Sequence, residues 1–338
     1  MVNKNIIGKF LNGQVQFKQF DKNYANLAKN HQNSLTKPKG SLGKLEKYAI
    51  WMAGWQKKEK PTMNNFQCLV FVGNHGIAKR NVSAYPSKVT EQMVKNFKNG
   101  GAAINQLCDF SNISLSVIPI NLDKPTKDFS EEKAMNHSET LHAMQLGYYS
   151  VPKKCDLLIL GEMGISNTTS ATAISCALFN TPVKKWTGLG TGISEKILKN
   201  KISIIKKGLK LHGKKFDSVI EILSCYGGRE MAAIAGSVIA ARVRGIPILL
   251  DGFVSTASAA TLTIFNKKIL EHCLISHLSS EPGHKGIIFK LKKEPILDLN
   301  MKLGEASGGA VAALIVKAAL VTHNKMATFS EAGVSKKN

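Results

Sequence analysis

The feature of this chain that most constrains its fold is a series of short apolar runs, each ending at a glycine or a polar residue. The runs, with the residues after each, are FQCLVFV before GNHG, ISLSVIPI before NLDK, CDLLIL before GEMGISNTT, SVIEIL before SCYGG, IPILL before DGF, and CLI before SHLSSEPGH. Segments of helical length lie between several runs, at 89–108, 170–179, 231–243 and 255–265. Such alternation is typical of a parallel sheet covered by helices. The sequence therefore predicts an α/β fold with an open, Rossmann-like parallel sheet.

Both ends of the chain have helical patterns instead. Residues 41–56 carry apolar side chains at helical spacing, and residues 308–321 are rich in small residues, which lets helices approach closely. We therefore expect an α/β substrate-binding domain at 61–299 and a smaller helical subdomain built from 1–60 and 300–338.

Composition narrows the possible partners and compartment. The formal net charge is +23, but only four of the 46 basic residues are arginines, and the lysines are spread without aromatic interleaving or a nucleic-acid-binding motif. We expect solvated lysine surfaces and no nucleic-acid partner. No run approaches the roughly 18 apolar residues of a membrane span, and the N-terminus lacks a signal-peptide pattern. The six cysteines form no CxxC pair, which favours reduced thiols, a cytoplasmic location and no zinc site.

Two glycine-containing segments are candidate anion sites, because ligands of open parallel sheets lie beyond the carboxyl ends of the strands. GEMGISNTTS (161–170) combines a strand end with the start of a helix, whose N–H groups and dipole attract anions, but it lacks the lysine of a Walker A loop. A plain helix cap is the alternative. GLGTG (188–192) lacks the spacing of a dinucleotide fingerprint, so a flexible turn is its default interpretation.

Three further segments carry ionisable residues. SHLSSEPGH (276–284) lacks the spacing of metal ligands, so we favour a polar substrate loop there over a metal site. We interpret His75 as a hydrogen-bonded scaffold residue in preference to a catalyst. Glu305 precedes a segment of small and apolar residues, and an apolar environment raises the pKa of a carboxyl and suits it to proton transfer. The alternative is a glutamate that serves the dipole of a helix N-terminus.

Taken together, the motifs resemble those of one family, the nicotinate-nucleotide:dimethylbenzimidazole phosphoribosyltransferases. The matching stretches run in order from about residue 35 to the C-terminus. They are KPKGSLGKLE (37–46), VSAYP (82–86), VTEQMV (89–94), GGAAIN (100–105), GEMGISNTTS (161–170), LDGF (250–253), SHLSSEPGH (276–284), LGEASG (303–308) and MATFSEAGV (326–334).

The resemblance implies an enzyme that transfers the ribose phosphate of nicotinate mononucleotide to a benzimidazole with inversion, releases nicotinate, uses neither a metal nor another cofactor, and forms a homodimer. It places the catalytic role on Glu305, with Glu162 and Lys201 beside it. A carboxylate at Glu305 suits the reaction, because the ring N–H of the base becomes strongly acidic as the other nitrogen attacks. We expect Glu162 to face the ribose, and Lys201 to position either Glu162 or the phosphate.

The remaining expected contacts fall into two groups. The residues expected to bind the base are Ser83, Tyr85, Gln92, Met163 and Leu303. Those expected to bind the phosphate or ribose, chiefly through backbone N–H groups and hydroxyls, are Gly164, Asn167, Gly190, Gly192, Ser279 and Ser280.

Three positions depart from the pattern of the family. Asn74 stands where aspartate is usual, and Leu189 and Leu278 stand where arginine is common. These departures remove charge near the phosphate but keep the three ionisable residues. Two alternatives stay open: a related phosphoribosyltransferase that uses another azole, purine or phenolic base, and a nucleotide-binding protein without activity, which would have no need of Glu305.

Overall fold

A six-stranded, entirely parallel sheet forms the centre of the computed structural model, which describes residues 5–190 and 192–335. The strands are β1 (Phe66–Val72), β2 (Ser114–Pro119), β3 (Leu157–Met163), β4 (Ile248–Leu250), β5 (Cys273–His277) and β6 (Pro295–Leu297). Their order is β2-β1-β3-β4-β5-β6. The chain moves outward from β1 in one direction to β2 and in the other to β3, so the order reverses between β1 and β3. Ligands of such sheets bind at this switch point, beyond the carboxyl ends of the strands.

Fourteen α-helices flank the sheet within the described residues. They are α1 (Ile6–Leu11), α2 (Lys22–Ser34), α3 (Lys44–Gln56), α4 (Lys88–Lys98), α5 (Ala103–Phe110), α6 (His137–Ser150), α7 (Asn167–Phe179), α8 (Val183–Trp186), α9 (Glu195–His212), α10 (Val219–Tyr226), α11 (Arg229–Arg244), α12 (Phe253–Ala260), α13 (Pro282–Lys290) and α14 (Ser307–Lys325). Short 3-10 helices lie at Gly76–Arg80 and Thr261–Ile264. The predicted α/β class and open parallel sheet are confirmed.

Most apolar runs became strands, with one error and one omission. FQCLVFV is β1 residue for residue, whereas SVIEIL, which we grouped with the strand-forming runs, lies in α10. The hydroxyl of Ser218 caps the N–H of Glu221, and almost every side chain of α10 is buried. A helix buried on all sides has the same apolar composition as a buried strand, which explains the error. The omitted strand, β6, has only three residues, which are too few to stand out as an apolar run.

Two helical predictions were only partly correct. The segment 89–108 is interrupted after α4, because Gly100 adopts a left-handed conformation with φ of 74° before α5 begins. The segment 255–265 is α12 followed by the 3-10 turn at Thr261–Ile264.

The core has two parts, one on each face of the sheet. The larger part joins β-strand side chains to α6, α7, α10, α11 and α12, and the smaller part joins them to α3, α5 and α14. The terminal helices α2, α3 and α14 contact one another in series, and α14 also packs directly on β3, β4, β5 and β6. In contrast, α1 packs on α6 and α11 in the larger part of the core. The division into 61–299 and a subdomain of 1–60 with 300–338 stays a prediction, and residues 1–4 and 336–338 of it lie outside the described residues.

All six cysteines are free, and five of them are buried. Among the described residues, no helix has the combination of length and apolar character needed to cross a bilayer.

Candidate active site

A cavity of about 450 Å³ opens at the carboxyl ends of β3, β4 and β5, within the range of small-molecule sites. Its walls come from the segments that follow β3, β4 and β5, from α9, and from the segment before α14. Eleven predicted site residues line it: Ser83, Tyr85, Glu162, Met163, Gly164, Asn167, Gly190, Lys201, Ser279, Leu303 and Glu305. The structure therefore brings together residues separated by more than two hundred positions in the chain.

Three predicted residues do not line this cavity. Gln92, Gly192 and Ser280 are all exposed to solvent, although each is close in sequence to a lining residue. The neighbouring Thr191 of the GLGTG segment lies outside the described residues. Contacts of Gln92, Gly192 and Ser280 with a substrate stay predictions.

Glu305 reaches the cavity from a tight turn at the start of α14. Glu305 and Ala306 both have left-handed backbones, with φ of 62° and 67°. The N–H of Glu305 donates to the backbone oxygen of Glu162 at 3.1 Å. Gly161 permits this approach, because a Cβ at that position would overlap the backbone nitrogen of Ala306. The turn joins α14 to β3 and brings the two glutamates to one wall.

Burial makes Glu305 a proton acceptor near neutral pH. Its side chain is almost fully buried, and burial, followed by the negative charge of Asp251, raises the pKa of its carboxyl to about 7. A general base is most effective when its pKa is near the pH of the reaction. The structure thus places the Glu305 carboxyl in a buried environment, in the turn just before α14.

Glu162 is the second-last residue of β3, where burial raises the pKa of its carboxyl well above the ordinary value. The charges of Glu230 and Asp251 raise it further, while a hydrogen bond from the side-chain amide of Asn167 opposes the rise. In the unliganded protein these effects favour the protonated form of Glu162. Asn167 therefore contacts Glu162 directly.

Lys201 lines the cavity from α9, where its side chain is buried. Its ammonium donates to the hydroxyl of Thr168 at 2.9 Å and to the backbone oxygen of Gly188 at 3.5 Å. Burial lowers the pKa of Lys201, and the nearby carboxylate of Glu281 opposes that effect. Its contacts are with the two glycine-containing segments, at 161–170 and 188–192, and none of its hydrogen bonds goes to Glu162.

A carboxylate occupies part of the expected phosphate site. The N–H of Gly190 donates to Oε1 of Glu281 at 2.7 Å, and the other carboxylate oxygen is buried without a hydrogen-bond partner in the described residues. Gly190 itself is left-handed, with φ of 57°. Near this loop, Ser166 directly precedes α7, is also left-handed and provides no side-chain cap. Ser166, at the start of α7, and Gly190 both line the cavity.

Ser279 is held in the cavity wall by a neutral histidine. Burial lowers the pKa of His284 to about 3, so its Nδ1 accepts the N–H of Ser279 at 3.0 Å. Its Nε2 lies 3.0 Å from the hydroxyl of Thr256. Both ring nitrogens of His284 are thus engaged within the protein. Among the described residues, no group of three or more histidine, cysteine, aspartate or glutamate side chains is arranged to hold a metal ion.

The end of the cavity expected to hold the base is mainly apolar. Val82, Val89, Met93 and Ile165 line it with the predicted Met163. The predicted Tyr85 and Leu303 stand at the rim and are about half exposed, at 51% and 50%. Ser83 turns its hydroxyl toward its own loop and accepts the N–H of Tyr85 at 3.3 Å.

Sequence reasoning gave no individual role to three acidic residues around the site, although Glu281 lies within the predicted polar substrate loop at 276–284. Asp251 directly follows β4, Glu230 lies at the start of α11, and Glu281 precedes α13. Asp251 had a usable signal, since it is the first polar residue after the IPILL run. Glu230 had none, because it becomes a neighbour of Glu162 only through tertiary packing.

His75, interpreted as a scaffold residue, is buried between the carboxylate of Glu230, at 2.6 Å, and the hydroxyl of Ser170, at 3.1 Å.

The three departures from the family pattern occupy different environments. Asn74 is buried and donates to the backbone oxygen of Leu122 at 2.9 Å. Leu189 is half exposed in the cavity wall beside Gly190. Leu278 packs partly buried against the core. Of the three, only Leu189 lines the cavity.

The fold and the site together define an α/β protein whose cavity has the features of an enzyme site for a small anionic molecule. Lys201 and the start of α7 line this cavity together with two buried carboxyl groups and an apolar slot.

Comparison with known proteins identifies the family. A family described as Phosphoribosyltransferase matches residues 17–334. The nicotinate-nucleotide:dimethylbenzimidazole phosphoribosyltransferase of Mesorhizobium japonicum is 50% identical over 306 residues, which cover 90% of this chain and 91% of that protein. The protein of the same name from Methylorubrum extorquens is 50% identical over 302 residues, covering 89% of this chain and 88% of the relative. The crystal structure of the Thermus thermophilus protein of that name has a TM-score of 0.87 at 32% identity, covering 94% of this chain and all of that chain. The chain belongs to the nicotinate-nucleotide:dimethylbenzimidazole phosphoribosyltransferase family, which confirms the resemblance.

Proposed function

We propose that this phosphoribosyltransferase transfers the ribose phosphate of nicotinate mononucleotide to 5,6-dimethylbenzimidazole or a related base. The products are α-ribazole phosphate and nicotinate, and the reaction belongs to the assembly of the nucleotide loop of cobalamin. The names of the relatives support the substrates. The observation that carries the proposal is the Glu305 carboxyl, which has a pKa of about 7 and lines the same cavity as the apolar slot.

The chemistry requires one bond to form, one to break and one proton to leave. The lone pair of one ring nitrogen of the base forms a bond to the anomeric carbon. The bond from that carbon to the pyridinium nitrogen breaks, and its electron pair neutralises the departing nicotinate ring. The other ring nitrogen of the base then carries an acidic N–H, whose proton passes to Glu305. Attack opposite the leaving group inverts the anomeric configuration.

Glu162 belongs in this proposal to the ribose side of the reaction. The unliganded environment favours its protonated form. Nicotinate mononucleotide brings a positively charged pyridinium ring, and a positive charge nearby lowers the pKa of a carboxyl. Binding of the substrate is therefore expected to ionise Glu162, and the resulting carboxylate stabilises positive charge that develops on the ribose.

In this proposal the phosphate binds to backbone N–H groups near Gly164, Gly190 and Gly192 and to a hydroxyl of Ser279 or Ser280. Backbone N–H groups at a helix start bind phosphate well. The hydrogen bonds of Lys201 to Thr168 and Gly188 favour a role for this lysine at the phosphate over a role in positioning Glu162. A cytoplasmic location is part of the same proposal, and the six free cysteines support it because reduced thiols persist in that compartment.

A product assay tests the proposed function directly. The purified protein is incubated with nicotinate mononucleotide and a panel of benzimidazoles, purines and phenols, and the products are identified by mass. We expect α-ribazole phosphate and free nicotinate in equal amounts with dimethylbenzimidazole. Met93 and Met163 in the apolar slot favour some tolerance of related bases, because methionine side chains adapt to different shapes. Transfer to purines or phenols but not to benzimidazoles would contradict the proposal.

A further inference from the structure

Asp251 stands behind the catalytic wall without lining the cavity. It follows β4 directly and its side chain is fully buried. Its Oδ2 accepts the N–H of Ala306 at 3.2 Å, and its Oδ1 accepts the N–H of Gly309 at 2.9 Å. One carboxylate therefore ties the end of β4 to the first turn of α14.

The residues held in this way form the turn that carries Glu305. Left-handed backbone is disfavoured for residues with a side chain, and here Glu305 and Ala306 adopt it in succession. Such a conformation persists only when surrounding contacts determine it. Within the turn, the N–H and the hydroxyl of Ser307 donate to the backbone oxygen of Gly304. The hydrogen bonds to other elements are that from Glu305 to the backbone of Glu162 on one side and those from Ala306 and Gly309 to Asp251 on the other.

We propose that Asp251 is a positioning residue for the transfer reaction: it fixes the turn that presents Glu305 to the cavity, and its negative charge makes Glu305 a stronger proton acceptor. The inference rests on the proposed role of Glu305 as the base. Asp251 itself touches no substrate and accepts no proton from it. Its effect on catalysis is exerted through the orientation and basicity of Glu305.

Several ionisable groups surround Asp251 and Glu305. Asp251 is the neighbour whose charge raises the pKa of Glu305 in addition to burial. Glu162 faces the pair from β3, and Lys302 lines the same cavity. His277 faces from β5, with Nε2 at 3.7 Å from Oδ1 of Asp251. Burial raises the pKa of Asp251, whereas His277 and the backbone N–H groups at the start of α14 oppose that rise.

The thiol of Cys68 on β1 also lies within the electrostatic influence of Asp251, which contributes to the raised pKa of Cys68. The hydrogen bond to Cys108 and burial are the larger causes there. This thiol lies in the core, and it offers no positive charge to compensate Asp251.

Two substitutions at Asp251 separate charge from position. Asp251→Asn removes the charge and leaves one acceptor oxygen for two N–H groups. We expect the acidic limb of the kcat/KM profile, where Glu305 becomes protonated, to move about 1 pH unit lower. We also expect kcat to fall about 10-fold or more, with little change in KM for nicotinate mononucleotide, because small misplacements of a catalytic group are costly. Asp251→Glu keeps the charge but displaces the oxygens, so the acidic limb should stay in place while kcat falls.

Asp156→Asn is a matched control. Asp156 precedes β3 at the opposite end of the sheet, and its Oδ2 likewise accepts two backbone N–H groups, those of Asn64 and Asn65, at 2.9 and 3.0 Å. Its loss is expected to lower the melting temperature while the acidic limb and kcat remain those of the wild type. A shift of the limb specific to Asp251→Asn therefore reports on Glu305 rather than on general stability.

Two results would overturn the inference. One is an Asp251→Asn enzyme whose acidic limb coincides with that of the wild type. The other is an Asp251→Glu enzyme with wild-type kcat, which also decides the question if Asp251→Asn does not fold. Failure of the proposed role of Glu305 would look different, because Glu305→Gln would then remain active regardless of the residue at 251.

Discussion

At the scale of single residues, the site depends on carboxyl groups whose protonation is set by their neighbours. Glu305 has a pKa of about 7 for reasons of burial and the nearby Asp251. Burial raises the pKa of Glu162 well above its ordinary value, and the charges of Glu230 and Asp251 add to that rise. Four acidic side chains thus converge around one cavity, and a substrate that carries a positive charge relieves their mutual repulsion.

This crowding predicts that nicotinate mononucleotide releases a proton as it binds near neutral pH. The raised pKa of Glu162 favours its protonated form in the free protein, the pyridinium ring is expected to lower that pKa, and we expect up to about one proton to leave for each substrate bound. Calorimetric titration in buffers of different ionisation enthalpy measures the number. Glu162→Gln should reduce the release strongly, while Glu305→Gln should retain most of it. Equal release by wild type and Glu162→Gln would show that another group supplies the proton.

At the scale of elements, the segment before α13 supplies a carboxylate that occupies an N–H group of the loop at 188–192, which is proposed to bind the phosphate. Glu281 accepts the N–H of Gly190 and lies within the electrostatic influence of Lys201. A phosphate that uses this N–H must displace the carboxylate. The unliganded arrangement therefore places an internal anion where the substrate anion is proposed to bind.

Glu281→Gln tests this competition. The amide oxygen still accepts the N–H of Gly190, but it carries no charge to compete with the phosphate near Lys201. We expect the Kd for nicotinate mononucleotide to decrease several-fold at low salt, while the Kd for the uncharged base is unchanged. Direct binding measurements on both ligands are the readout, and Glu331→Gln, at an exposed position near the C-terminus, is the control. Weaker binding of the mononucleotide by Glu281→Gln would mean that Glu281 supports the phosphate site instead of competing for it.

At the scale of the whole molecule, we propose a homodimer, as the family resemblance implied. Exposed apolar side chains at and near the mouth of the cavity, including Tyr85, Leu189 and Leu303, offer surface for such a contact. Sedimentation at micromolar concentration should give a mass of about twice the 36.7 kDa of the chain. A single species of monomer mass over that concentration range would refute the dimer.

The fold and much of the site were accessible from sequence because both depend on short-range patterns. A strand such as β1 has an unbroken apolar run, and residues such as Glu162 and Glu305 stand next to glycines at strand or helix ends. The features that could not be read from sequence depend on packing between distant segments. Glu230 and Glu281 meet the site only after α11 and the segment before α13 are placed, and α10 has the composition of a buried strand.

The measurement that tests the account most directly is the single-turnover rate of Glu305→Gln with both substrates bound. Glutamine preserves size and a carbonyl that can hold the N–H of the base, but it neither takes the proton nor balances the developing positive charge. We predict normal binding of both substrates and a rate about 10² to 10⁴ lower than that of the wild type. In the wild type, kcat/KM should rise as pH increases through about 7, where Glu305 of the free enzyme loses its proton, and Glu305→Gln should lack this rise. A variant that binds both substrates and reacts at nearly the wild-type rate would contradict the account, because the proposed mechanism would have no base.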